Sequence, residues 1–211
     1  MVFLKSILCL RHAKTTSDED QEKRVVNEEG FGQIAQRKAA LQDQGYLNDI
    51  AYSFYGYHRH LQTLQGILSD RPIIGIIGVE IPELKLPQNM SDRSDCSDIF
   101  KKLPPPANLN TWLVQDRSLF LPRYGMDAAT AIIARSGRAK HIMVVGSYNL
   151  INMVGIQFVL LKTLWGGKVN QEIVDALCEN ALMECNGFRL DFTGKKPACE
   201  IFLDCSTIRV R

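Results

Sequence analysis

The 211-residue sequence lacks a strong excess of charge, because 25 Lys and Arg residues face 23 Asp and Glu residues and leave a formal net charge of +2. This balance argues against nucleic acid or an acidic membrane surface as a partner, since both attract a concentration of positive charge. Long hydrophobic runs are also missing. The most apolar stretch, residues 154–165, is interrupted by Gln157 and Lys162 and is shorter than the roughly 20 residues that a membrane-spanning helix requires.

The first ten residues, MVFLKSILCL, do not read as a signal peptide, because Lys5 breaks the apolar run and no small-residue cleavage site follows. We therefore expect a cytoplasmic protein with no membrane partner. Hydrophobic residues make up 45% of the chain, which is enough for the core of one α/β domain. We expect residues 1–211 to form that single domain.

Metal-binding spacings are absent from the sequence. It has only four histidines, none of them at a ligand-like spacing, and its six cysteines include no C-x-x-C pair. The cysteines are typical of buried small hydrophobic residues in a reducing compartment, although their even number also allows a disulfide. They are Cys9, Cys96, Cys178, Cys185, Cys199 and Cys205. We accordingly expect neither a metal ion nor another cofactor.

Strand-like apolar runs alternate with helical patterns through most of the chain. Buried strands are predicted at residues 2–10, 47–53, 73–79 and 141–145. Helices are predicted between and after them, with N-caps at Asn27, Asp127, Asn149 and Asn170, and the last one covers residues 171–185. Residues 188–192 and 199–204 then predict a hairpin. The order predicts an α/β fold, a three-layer sandwich whose mainly parallel central sheet has helices on both faces, followed by a C-terminal hairpin.

One long segment, residues 80–110, interrupts this alternation. It contains Pro82, Pro87, a cluster of Ser and Asp residues, and three consecutive prolines at 104–106. We expect an irregular insertion, partly helical around residues 97–103, that lies over the active-site end as a lid or specificity element.

Three polar features follow predicted strands and point to one ligand. Arg11 and His12 end the first strand, Arg59 opens the helix after the second, and a Gly146-Ser147 turn ends the fourth. The carboxyl ends of parallel strands share one edge of a sheet, which is where ligands bind in open α/β folds. A guanidinium fork matches the geometry of phosphate, and a neutral imidazole can attack phosphorus. The features together predict a phosphate pocket.

At this point the sequence resembles the histidine phosphatase superfamily, the phosphoglycerate-mutase-like phosphatases. The resemblance rests on five motifs: ILCLRHAKT at residues 7–15, N-x-x-G-x-x-Q at residues 27–33, RHLQT at residues 59–63, GMD at residues 125–127 and HIMVVGS at residues 141–147. Together they cover roughly residues 7–151. The short first motif is most similar to the small phosphohistidine-phosphatase branch.

The resemblance implies a role for each matching residue. His12 would be the nucleophile that becomes phosphohistidine, while Arg11 and Arg59 would bind the phosphoryl oxygens and stabilise the charge of the transition state. A carboxylate after the third strand, Glu80 or Glu83, would protonate the leaving oxygen. The partner would be a phosphorylated small molecule or a phosphoprotein.

One position departs from the family pattern. The resemblance implies a second histidine after the late strand, where this sequence has Ser147, whose hydroxyl can bind phosphate but carries no charge. Losing one charged donor from a buried oxyanion site typically costs about 10²–10³ in rate. His58 and His60 lie among aromatic residues and are more typical of packing, although either could replace the missing donor. We therefore expect a metal-independent phosphohydrolase, or an impaired relative that binds a phosphorylated ligand without turnover.

Overall fold

The computed structural model describes residues 4–18, 20–69, 77–86, 90–204 and 206–211. Within these ranges the chain forms seven strands and seven α-helices. The strands are β1 (Ser6–Arg11), β2 (Tyr52–Tyr55), β3 (Ile77–Glu80), β4 (His141–Gly146), β5 (Gly187–Asp191), β6 (Ala198–Phe202) and β7 (Thr207–Val210). The helices are α1 (Glu28–Asp43), α2 (His58–Leu68), α3 (Met90–Lys102), α4 (Leu109–Gln115), α5 (Phe120–Ser136), α6 (Tyr148–Leu161) and α7 (Gln171–Glu179).

All seven strands belong to one sheet with the order β3-β2-β4-β1-β5-β6-β7. The first four strands in this order are parallel, and β5, β6 and β7 extend the sheet as antiparallel neighbours. The predicted α/β class and the C-terminal hairpin are confirmed, with β7 as an additional strand. Because β1, β4 and β2 are parallel neighbours, their carboxyl ends lie at the same edge of the sheet. The residues at these ends are Arg11, Gly146 and Tyr55.

The two faces of the sheet are covered by different helices. Along β1 the side chains alternate, so that Ile7 and Cys9 belong to one buried cluster and Leu8 and Leu10 to another. The first cluster includes apolar residues of α4, α5, α6 and α7, and the second includes those of α1 and α2. A strand buried on both faces explains why β1 reads as a continuous apolar run. The predicted three-layer arrangement is thereby confirmed.

The helix α1 begins where the sequence predicts, directly after Asn27. Asn27 is its N-cap, and its side chain accepts a hydrogen bond from the backbone N–H of Gly30 at 2.8 Å. Glu28 and Glu29 occupy the first turn, where their charge interacts favourably with the helix dipole. Gly45 follows the helix with φ of +70°, a conformation that glycine adopts without strain.

Several predicted boundaries were wrong. The second strand lies at residues 52–55 rather than 47–53, and the predicted strand at residues 73–79 lies partly outside the described residues. The segment 80–110 is more regular than expected, since it contains a 3₁₀ turn at Pro82–Leu84, all of α3 and the start of α4. The first residue before α6 is Ser147, and Asn149 lies inside the helix with its side chain bonded to the Ala107 carbonyl at 3.0 Å.

Asp127 does not cap a helix, because α5 begins seven residues earlier at Phe120. The capping group is the carboxylate of Asp116, which accepts hydrogen bonds from the backbone N–H groups of Phe120 at 3.0 Å and Leu121 at 2.8 Å. Pro122 falls in the first turn, where its missing N–H costs nothing.

The last predicted helix is also shorter than expected, since α7 ends at Glu179 instead of continuing to Cys185. The side chain of Asn152 on α6 donates to the carbonyls of Leu177 at 2.7 Å and Asn180 at 3.0 Å. These bonds satisfy carbonyls that a helix end leaves free. The chain that follows, residues 180–186, is consequently available to contact Arg11.

Two other expectations concern the whole chain. Cys9, Cys96, Cys178, Cys185 and Cys199 are buried free thiols, and Cys205 lies outside the described residues. Among the helices of the described ranges, none is both long enough and apolar enough to cross a membrane.

Candidate active site

The strand β1 delivers Arg11 and His12 to the edge of the sheet, beside the end of β4. Arg11 is in register with Gly146, and the backbone N–H of His12 donates to the Gly146 carbonyl at 3.1 Å. Residues 12 and 147 are therefore held next to each other by the sheet itself. This is the convergence that the sequence predicted for the first and third polar features.

The hydrogen bonds of His12 fix its protonation pattern. Its Nδ1 lies 2.7 Å from the backbone carbonyl of Ala13, and a carbonyl can only accept, so Nδ1 carries the proton and Nε2 keeps a free electron pair. Burial, and secondly the positive charge of Arg59, lower the pKa of His12 to about 3. The imidazole is therefore neutral at physiological pH, which is the state a nucleophile needs.

Arg59 is buried in the first turn of α2, with 3% of its surface exposed. Its guanidinium carbon lies 4.3 Å from the centre of the Tyr57 ring, and Nη1 donates to the carbonyl of Gln21 at 2.7 Å. Burial lowers its pKa to about 10, so it remains a cation. Its buried Nε has no hydrogen-bond partner among the described residues, which leaves a donor free for an anion.

A threonine joins α2 to the residue after His12. The Thr63 hydroxyl donates to the Arg59 carbonyl at 2.9 Å and accepts from the backbone N–H of Ala13 at 3.0 Å. Thr63 is fully buried. This bridge fixes the position of the helix that carries Arg59 relative to the strand end that carries His12.

Arg11 is held by the protein more fully than the sequence suggested. Its Nη2 pairs with the carboxylate of Glu184 at 2.8 Å, and its Nη1 donates to the Leu182 carbonyl at 2.8 Å. The guanidinium also lies 4.7 Å from the centre of the Tyr148 ring. Its buried Nε is unpaired within the described part of the chain.

Ser147 occupies the position before α6, and its hydroxyl lies 3.1 Å from Nε2 of His60. His60 is fully buried, and its ring stacks on His12 with centroids 5.2 Å apart and planes 19° apart. Tyr57 contacts the His60 ring edge-on at 5.3 Å. Two imidazoles and a hydroxyl therefore lie together at the ends of β1 and β4.

The two candidate proton donors have different surroundings. Glu80 is exposed and forms an ion pair with Lys85 at 3.0 Å, and Lys85 also pairs with Glu22 at 2.9 Å. The Lys85 ammonium is 5.6 Å from the centre of the Tyr57 ring, the ring that Arg59 covers. Glu83 instead lies 3.9 Å from Arg135 on α5. In the described part of the chain, no hydrogen bond or ion pair joins either carboxylate to Arg11, His12 or Arg59.

Sequence reasoning missed two contributors, Glu184 and Arg24, and named His60 only as one of two alternative donors. Glu184 lies in a segment that was predicted to be helical, and the arrangement of His60 depends on a contact across 87 residues. Arg24 belongs to a polar loop that reads as solvated, yet its charge helps to lower the pKa of both His12 and Arg59. Its Nε donates to the Asp18 carbonyl at 2.6 Å. Only the concentration of polar residues in this loop could have signalled its place beside the site.

Within the described ranges, no group of three or more His, Cys, Asp and Glu side chains is arranged to hold a metal ion. The polar atoms at the strand ends are instead dominated by cationic and hydrogen-bond-donating groups. Such an arrangement suits an oxyanion.

Solved structures with the same fold include enzymes of phosphate chemistry. A candidate phosphohistidine phosphatase, SixA, from Agrobacterium tumefaciens matches at 18% identity with a TM-score of 0.53, covering 98% of this chain and 98% of that one. A second candidate SixA, from Nakamurella multipartitia, matches at 16% identity with a TM-score of 0.56, covering 90% of this chain and 86% of that one. The alpha-ribazole phosphatase from Shigella flexneri matches at 13% identity with a TM-score of 0.56, covering 91% and 93% of the two chains.

The chain therefore has the fold of the histidine phosphatase superfamily, as the resemblance of its motifs implies. No protein-family model and no curated protein sequence matches it. At these identities the likeness establishes the fold, and the activity has to be argued from the site.

Proposed function

We propose that this protein is a metal-independent phosphohydrolase that removes a phosphoryl group through a phosphohistidine at His12. The substrate class is a small phosphomonoester or a phosphorylated protein side chain. The observation that carries the proposal is the state of the His12 imidazole, whose Nδ1–H is committed to the Ala13 carbonyl and whose Nε2 is unprotonated. The shared fold with solved phosphatases supports the same conclusion.

The reaction takes two steps. In the first, the electron pair of His12 Nε2 attacks phosphorus, a P–N bond forms, and the P–O bond to the leaving group breaks with its electrons on oxygen. A carboxylic acid gives that oxygen a proton. In the second, water attacks phosphorus, the carboxylate takes a proton from the water, and the P–N bond breaks. Inorganic phosphate leaves and the neutral imidazole is restored.

Cationic and polar donors stabilise the charge that develops on the phosphoryl oxygens. Arg59 supplies a cation with a free buried donor, and Arg11 supplies a second one whose charge is partly offset by Glu184. Ser147 adds a neutral donor. Donors that are already in place need no reorganisation at the moment of reaction, and their electrostatic contribution is usually the largest in catalysis.

Glu80 is the better supported of the two proton donors. Through Lys85 it belongs to a charged group that borders Tyr57, the ring beneath Arg59. Glu83 contacts Arg135 on another helix instead. We therefore assign the acid to Glu80 and treat Glu83 as the alternative.

A second candidate function is binding of a phosphorylated ligand without turnover. The observation in its favour is that both terminal nitrogens of Arg11 are already bonded to the protein, at Leu182 and Glu184. A guanidinium engaged in this way contributes less to a transition state than a free one. The uncharged hydroxyl of Ser147 acts in the same direction.

Turnover of p-nitrophenyl phosphate separates the two functions. His12→Ala is compared with His58→Ala, a matched control because His58 is exposed two residues before His60 on the same helix. Activity that disappears in His12→Ala and persists in His58→Ala, with an acid-labile phosphoenzyme in the wild type, supports the hydrolase. Phosphate binding without turnover, with turnover gained in Ser147→His, supports the second function. Activity that survives His12→Ala overturns the phosphohistidine mechanism.

A further inference from the structure

His60 is a buried histidine for which the mechanism above has no use. It has no exposed surface and comes from α2, whereas the late histidine implied by the resemblance would follow β4. Yet its Nε2 lies 3.1 Å from the Ser147 hydroxyl, and its ring stacks on the ring of His12. The imidazole therefore contacts both the proposed nucleophile and the residue that stands at the implied second-histidine position.

The partners of His60 determine which of its nitrogens carries the proton. Its Nδ1 faces the backbone N–H groups of Gly56 and Tyr57, both at 3.3 Å. A backbone N–H can only donate, so Nδ1 must accept and the ring proton lies on Nε2. Burial, and then the nearby imidazole of His12, lower the pKa of His60 well below its ordinary value, so the ring stays neutral in this tautomer.

This tautomer gives the hydrogen bond to Ser147 a direction. The Nε2–H of His60 donates to the serine oxygen, so the serine's own O–H is not used in that bond and can donate elsewhere. A hydroxyl that accepts one hydrogen bond becomes a stronger donor in the next. A chain of hydrogen bonds therefore runs from the backbone N–H groups of residues 56 and 57, through the His60 imidazole, to the Ser147 hydroxyl beside His12.

We propose that His60 is a positioning residue, which holds and polarises the Ser147 hydroxyl so that it donates to a phosphoryl oxygen bound at His12. An imidazole on α2 would thus act through a serine at the place where the resemblance implies a histidine after β4. The inference rests on the proposed phosphohydrolase function. On this inference, the donor that the resemblance implies at position 147 is supplied by Ser147 and His60 together.

A double-mutant cycle tests the coupling between the two residues. The variants are Ser147→Ala, His60→Asn and their combination, each checked for a native circular dichroism spectrum. Asparagine keeps an acceptor near the N–H groups of Gly56 and Tyr57 but cannot reach Ser147, whereas His60→Gln keeps a donor near the position of Nε2. The measured quantities are kcat for p-nitrophenyl phosphate and Kd for inorganic phosphate.

We expect kcat to fall about 10-fold or more in His60→Asn, to recover partly in His60→Gln, and to fall no further when His60→Asn is added to Ser147→Ala. Equal effects of His60→Asn in both backgrounds would mean that His60 acts on folding or on His12, and would overturn the inference. If the wild type binds phosphate without turnover, the hydrolase proposal fails separately, and the same cycle in Kd decides the role of His60. Absence of both turnover and phosphate binding overturns both.

Discussion

His12 and His60 stack with their ring centroids 5.2 Å apart, yet their Nδ1 atoms face partners of opposite kind. Nδ1 of His12 faces a carbonyl, and Nδ1 of His60 faces two backbone N–H groups. The two rings are consequently neutral in opposite tautomers. One exposes an electron pair at Nε2, and the other presents a proton there, so the same residue type serves once as nucleophile and once as donor.

These tautomers can be observed directly. Long-range ¹H–¹⁵N correlation spectra of the wild type should show His12 protonated at Nδ1 and His60 protonated at Nε2, with neither ring taking a second proton between pH 5 and pH 8. The reason is that burial lowers the pKa of both rings, that of His12 to about 3. His12→Asn and His60→Asn spectra assign the signals. If His12 and His60 gave signals of the same tautomer, or if either of these two rings gave an imidazolium signal at pH 6, the hydrogen bonding described here would be contradicted.

The low pKa of His12 also predicts how stability depends on pH. In the unfolded chain the imidazole has a pKa of about 6.5, whereas in the folded protein it is about 3. Between these values the unfolded chain binds a proton that the folded protein does not. Stability is therefore full above the unfolded pKa and is lost as pH falls toward the folded pKa, by at most about 1.4 kcal/mol per pH unit for this group.

Urea unfolding of the wild type and His12→Asn between pH 5 and pH 7.5 measures this contribution. The free energy of unfolding should fall more steeply with decreasing pH in the wild type than in the variant. Subtracting the two free energies of unfolding at each pH cancels the contribution of the carboxylates, because both proteins contain the same ones. Parallel pH profiles would show that the His12 pKa is not depressed in the folded state.

Much of the fold was predictable because its signals are local. The buried strand β1 and the Asn27 cap are both written within a few residues of sequence, and β1 directly places His12 at the sheet edge. The start of α5 was missed because its capping carboxylate, Asp116, lies four residues before the first helical residue. In the usual pattern the capping side chain belongs to the residue immediately before the helix. Glu184 was missed for a stronger reason, since it meets Arg11 across 173 residues and no local pattern reports such a contact.

Gly30 is required for the packing of α1 against the chain that follows His12. A Cβ at this position would lie 2.2 Å from the carbonyl oxygen of Lys14 and 2.8 Å from Cγ1 of Val26. Gly30→Ala should therefore force backbone to move and lower the free energy of unfolding by about 1–3 kcal/mol. Since Lys14 is two residues from His12, activity should fall as well.

Gly32 provides the matched control for this prediction. It lies in the same helix, and a Cβ there would meet nothing within 4 Å. Gly32→Ala should raise the free energy of unfolding by about 0.5–1 kcal/mol, because alanine loses less backbone freedom in a helix. Thermal or urea unfolding measures both variants, and equal effects of the two substitutions would be inconsistent with the close approach at Gly30.

The ion pair between Arg11 and Glu184 yields the last prediction. The side chain of Arg11 is 8% exposed and that of Glu184 is 26% exposed, so removing the carboxylate leaves a largely buried cation without its partner. Glu184→Gln should lower the free energy of unfolding by about 1–3 kcal/mol, less than a fully buried pair would cost, because Glu184 is partly solvated. Glu29→Gln is the control, since its pair with Lys14 is exposed at 46% and 59%, and its effect on the free energy of unfolding should be much smaller than that of Glu184→Gln.

Added phosphate then shows whether Arg11 belongs to the anion site. If it does, a bound phosphate replaces part of the negative charge that Glu184→Gln removes, and 10 mM phosphate should raise the Tm of this variant by more than it raises that of the wild type. A ligand that binds only the folded state stabilises it by RT ln(1 + [L]/Kd), so at equal phosphate concentration the larger shift reports tighter binding. A shift equal to that of the wild type and of Glu29→Gln would place Arg11 outside the phosphate site and leave Arg59 as the cation that contacts the phosphoryl group.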